Sequence, residues 1–159
     1  MTLRNRLGLF ALCAALSTSV MGSSHAETDK ARFAARLGVA YYCFHHWVST
    51  PYREGKFVGS ALHRKATIVK SGTALLYAVR ELKAAKQVAA AGKDTQVQSL
   101  VRSIDSMADS FDTIGRKFKS GKFTGADIDT LNGVFTTLDS SARAAKIEVK
   151  DVPVTVPGA

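Results

Sequence analysis

A chain of 159 residues with 46% hydrophobic content is long enough for one packed core and too short for two ordinary domains. Its formal charge of +9 raises nucleic-acid binding as a possible role, but no recognised binding motif accompanies it and the N-terminus reads as an export signal.

Arg4 and Arg6 form a positive opening segment, Leu7 to Leu16 a short apolar run, and Ser24-His25-Ala26 place small residues at the −3 and −1 positions. This is the pattern of a signal peptide cleaved after Ala26, giving a periplasmic or secreted protein. The apolar run is too short to span a bilayer, so no transmembrane segment is expected. Arg4-Asn5-Arg6 is not a twin-arginine pair, and Cys13 sits within the apolar run where lipid attachment is a poor fit. Cleavage removes Cys13 and leaves Cys43 as the only thiol, which cannot close an internal disulfide. It is then a buried small hydrophobe, half of a cross-link between two chains, or a ligand.

The organisation expected is a signal peptide over 1–26, a helical domain over 27–146 and a tail over 147–159. Asp29 is a candidate N-cap for a first helix from Lys30 to Val48, in which Phe33, Leu37, Tyr41, Phe44 and Val48 recur at helical spacing. Thr50-Pro51 should end it, because proline disfavours helical geometry in the residue before it. A second helix should run from about Gly59-Ser60 to Ala91 with Leu62, Ala66, Val69, Leu76, Val79 and Leu82 inward, widened by Ile68 and Leu75. Gly72 in its middle marks a kink or a close helix contact. Thr95 with Gln98 suggests a capping box for a third helix, whose stripe includes Val97, Leu100, Ile104, Met107, Phe111, Ile114 and Phe118. Gly121 stops it. Thr124 and Asp127 cap a fourth, with Ile128, Leu131, Phe135, Leu138, Ala142 and Ala145 on one face.

Short connections and near-heptad faces point to an all-α, antiparallel four-helix bundle. The tail, with Pro153, Pro157 and Gly158, is expected to be loosely ordered. Charge is uneven: eight basic residues lie between Arg53 and Lys86 against Glu54 and Glu81, and Arg116, Lys117, Lys119 and Lys122 cluster near the last hairpin. Solvated helix faces and a helix dipole account for both clusters; the sharper reading is a surface for an acidic partner or anionic lipid.

Unusual chemistry concentrates in Tyr41-Tyr42-Cys43-Phe44-His45-His46-Trp47. Cys43 and His46 are three apart on one helix face, and with His63 from the second helix they form the candidate metal set; the wider Cys43/His45/His46/His63 region suits zinc, copper or a noncovalent haem. Against this, one thiol without a second Cys or His pair is short of a structural zinc site, and adjacent histidines point about 100° apart on a helix. Covalent haem attachment needs Cys-x-x-Cys-His, which is lacking, so no cofactor is assigned. Cys43 as a nucleophile would need an activating base and an oxyanion loop, and the aspartates fall on periodic helix faces, so an enzyme is not expected.

The aromatic run has an ordinary reading as core. Its apolar character on two faces favours a surface at which Tyr42, Cys43, His46 and Trp47 meet another protein, with Cys43 able to join two copies as a homodimer. The function expected is protein–protein binding by an exported bundle in an inhibitor, immunity-type or adaptor role. A haem- or metal-binding bundle is the alternative.

Overall fold

The computed structural model describes residues 21–58 and 61–159, and among them every regular element is a helix. The positive segment and apolar run of the expected signal peptide lie outside the described residues. No helix among those described is long and apolar enough to cross a membrane.

Helix α1 spans Met21–Phe44, passes into a π-helical turn at His45–Ser49 and finishes in α2, Thr50–Arg53. Two sequence expectations fail here. Asp29 lies inside α1 and not at its N-cap, since helical backbone already begins eight residues earlier. Pro51 does not end the helix either. It sits in the first turn of α2, where a missing N–H is tolerated, and the π turn before it absorbs the proline ring. The expected stripe is correct: Phe33, Leu37, Tyr41, Phe44 and Val48 are all buried.

Helix α3, Ala61–Ala91, packs against α1 on one side and α5 on the other. It runs antiparallel to α1, for Glu81 meets Arg36 and Ser71 meets Trp47. Its buried face is only partly the one expected: Leu75, Val79 and Leu82 are buried as expected, and Ile68 and Leu76 are half-buried. Ala66 and Val69 are exposed, and Ser71, Ala74, Leu75, Ala78, Leu82, Ala85 and Ala89 are inside. A helix with neighbours on two sides needs small residues for close approach, and a face drawn through the largest side chains misses them. Gly72 shows this most sharply. A Cβ there would stand 2.9 Å from the Gly115 carbonyl oxygen and 2.8 Å from Lys119 Cγ, so it marks a close helix contact.

The next helix is interrupted at Leu100, giving α4, Thr95–Ser99, and α5, Val101–Lys119. Its cap is Asp94 and not the expected Thr95–Gln98 box: Asp94 Oδ1 accepts from Gln96 N at 2.8 Å and Val97 N at 3.3 Å. Gln98 instead donates to the Gly92 carbonyl at 2.8 Å. The buried stripe from Val97 to Phe118 is as expected, and Gly121, at φ 69°, turns the chain after α5. Helix α6, Gly125–Ala144, packs on α5 and opens with the expected capping box of Thr124 and Asp127. Asp127 also takes a bond from Lys117 Nζ at 2.5 Å.

The tail corrects a further expectation. It is irregular, but it is docked and not loose. Lys146, at φ 57°, reverses the chain after α6, and Ile147 and Val156 are buried. Between them Val152 N–H donates to the Gly38 carbonyl of α1 at 3.0 Å. Glycine is required at position 38, because a Cβ would lie 2.2 Å from the Lys150 carbonyl oxygen. The alternating valines supply the burial that holds an otherwise helix-breaking segment in place.

Candidate functional site

The run Tyr41–Trp47 occupies the end of α1 and the π turn. The π geometry follows from Pro51, which has no N–H to give the Trp47 carbonyl four residues back. Thr50 N–H bonds to the His45 carbonyl, one residue further than in an α-helix, and the stranded Trp47 carbonyl accepts a hydrogen bond from Ser71 Oγ of α3. Ser71 is fully buried, and its one hydroxyl proton is shared between the Trp47 carbonyl and, at 2.9 Å, the Thr67 carbonyl of its own helix. The extra residue in the turn rotates the side chains that follow it.

Three of the seven residues turn inward. Tyr41 is 2% exposed, with its ring 4.4 Å from that of Phe135 and its hydroxyl without a partner among the described residues. Burial, and then the charge of Asp139, raise its phenol well above the ordinary value. Phe44 packs between Phe111 and Phe135. Cys43 is 0% exposed, and burial first, then the charge of Glu81, push its thiol up to about 12. The thiol is therefore held in its neutral form within the core.

The other four reach the edge of the fold. His45 Nδ1 sits 2.8 Å from Asp151 Oδ2 of the tail, and its ring is 4.6 Å from that of Phe135. Tyr42 and His46 are stacked at 5.0 Å and 10°, and His46 meets Trp47 edge-on at 4.9 Å. Lys70 Nζ of α3 lies 5.7 Å from the centre of the Trp47 ring, within cation–π range. Beside these rings is an open recess of about 340 Å³, lined by His46, Trp47, Pro51 and Lys70 among others.

Two site expectations are therefore corrected. Cys43 does not belong to a partner-binding surface with Tyr42, His46 and Trp47, and its burial removes the cross-link as a route to a homodimer. The proposed metal set Cys43, His46 and His63 is not assembled either. Cys43 is in the core while His46 and His63 are exposed, and among the described residues no three His, Cys, Asp or Glu side chains converge as metal ligands. The wider set with His45 fares no better, because His45 faces Asp151.

Ser71, Lys70, Phe135 and Asp151 surround the run from other elements, a placement not legible in the sequence. Phe135 was legible as part of an apolar stripe. Nothing local connects Asp151 with a histidine 106 residues earlier.

Comparison with protein-family models, with curated proteins and with solved structures finds no match. The reading rests on the site itself.

Proposed function

We propose that this chain is an exported, non-enzymatic protein, an antiparallel four-helix bundle, that works by binding another protein through Tyr42, His46 and Trp47. The observation that carries the reading is the Tyr42–His46 stack with half-buried Trp47 edge-on to His46, beside an open recess lined by His46 and Trp47, with Lys70 placed over the indole. Tyrosine and tryptophan dominate interface energetics because a rigid, amphipathic ring buries much area at little entropic cost. The π turn supports the same reading, since such turns recur where a helix presents side chains for function. The site suits an inhibitor, immunity-type or adaptor role.

Native mass spectrometry of the protein purified from its own export compartment, paired with pull-downs, tests this. The wild type should retain a protein partner, and Trp47→Ala should weaken the complex by about 2 kcal/mol or more while remaining folded. Identical capture profiles for wild type and Trp47→Ala would sink the reading.

A further inference from the structure

The large hydrophobic side chains left exposed among the described residues gather at one end of the molecule. They are Tyr52 at 40%, Val58 at 77% and Val69 at 39%. The loop after α2 carries Phe57 into the tip of the α5–α6 connection, where its ring lies 5.4 Å from Phe118 and 5.2 Å from Phe123. Tyr52 lies 6.3 Å from Phe57 and Val58 follows Phe57 in the chain; Phe57 and Val69 line an open hollow of about 610 Å³.

Cations rim that hollow. Arg64 and Lys65 come from the start of α3 and Lys119 from the end of α5, so two basic clusters far apart in sequence meet around one aromatic floor. None of the three is ion-paired among the described residues, while the nearby carboxylates Glu54 and Asp127 are held by Lys56 and Lys117. Lys119 complements the dipole at the end of its helix. Arg64 lies towards the N-terminal end of α3, where a cation gains nothing from the dipole.

We propose that this end of the molecule docks on anionic lipid headgroups, with Arg64, Lys65 and Lys119 facing the phosphates and Val58 and Tyr52 entering the headgroup–acyl boundary. The protruding valine favours lipid over an acidic protein. A bilayer interface accepts scattered apolar tips without matched shape, whereas the core of a protein interface is closely packed and shape-matched. The inference does not rest on the Tyr42–Trp47 surface.

The test is co-sedimentation of the protein, expressed with its own leader and purified from the export compartment. The vesicles are phosphatidylcholine alone or equal parts phosphatidylcholine and phosphatidylglycerol. Binding is expected only to the anionic vesicles, falling as salt rises. Arg64→Glu/Lys65→Glu/Lys119→Glu should lower partitioning about a hundredfold or more, and Val58→Asp about tenfold. Arg80→Glu/Lys83→Glu/Lys93→Glu, with the same net charge placed further along and beyond α3, should bind far better than the first triple. Circular dichroism checks folding, and Val58→Asp with the salt series decides the matter if the first triple does not fold. Absence of binding to anionic vesicles, or equal loss in both triples, overturns the proposal. Binding of free decanoate or polyglutamate without binding to vesicles overturns it too, assigning the hollow to a small amphiphile or an acidic protein.

Discussion

At the residue scale, Cys43 and Asp127 show how environment sets chemistry. The Cys43 thiol is enclosed by α1 and its neighbours, so a thiol reagent should leave the native protein unmodified and label it fully in guanidinium. Non-reducing gels should show no disulfide-linked dimer. Rapid labelling of the native state would contradict the buried assignment. Asp127 titrates in the opposite sense. Burial works against its charge, yet the bonds from Lys117 and Thr124 outweigh that and hold its carboxyl below the ordinary 3.8. Because the folded pKa is depressed, its stabilisation is complete above the unfolded value and is lost as pH falls through the folded one. Asp127→Ala should therefore cost about 1–2 kcal/mol near neutrality, and the gap to wild type should close in strong acid. Urea titrations at the two acidities measure it.

At the scale of elements, the π turn is a joint between a proline and a serine 20 residues later on another helix. Ser71→Ala takes the Ser71 donor from the part-buried Trp47 carbonyl and should cost about 1–3 kcal/mol. In a Pro51→Ala background the restored N–H can reach that carbonyl, and the same substitution should cost less. A double-mutant cycle read by denaturation gives the coupling; additive effects would mean that proline and serine are unrelated. The Gly72–Gly115 crossing belongs to the same scale. Glycine is a poor helix former, at roughly 1 kcal/mol below alanine, and its place in both helices reflects how closely their backbones approach.

At the scale of the molecule, the tail closes the structure by returning to its first helix. The Val152–Gly38 hydrogen bond, the His45–Asp151 pair and the buried Val156 fasten it at successive points. Gly38→Ala puts a methyl group into the Lys150 carbonyl and should release the strap. Hydrogen exchange at the Val152 amide should then rise at least tenfold, with protection in the α5 core little changed. Loss of protection throughout would instead make the tail part of the cooperative core.

The sequence alone determined the helical class and the inward stripes of α1, α5 and α6. These are local properties, set by apolar residues repeating at the period of a helix and by caps such as Thr124 and Asp127. It also singled out Tyr41–Trp47 as the run densest in aromatic, histidine and thiol side chains. What it left open depended on neighbours that no short window contains. Whether Pro51 ends a helix or is accommodated depends on Ser71 being present to bond the freed carbonyl. Whether Cys43 is a surface thiol or part of the core depends on the packing of α3. The inner face of α3 was legible at Leu75, Val79 and Leu82 and missed at Ser71, Ala74, Ala78, Ala85 and Ala89, because a helix between two others carries small residues at its crossings and hydrophobic size gives no sign of that. The docking of the tail and the meeting of two basic clusters around Phe57 likewise arise from chain reversals that bring distant segments together. Periodicity is a property of one segment, and a site is a property of several brought into contact.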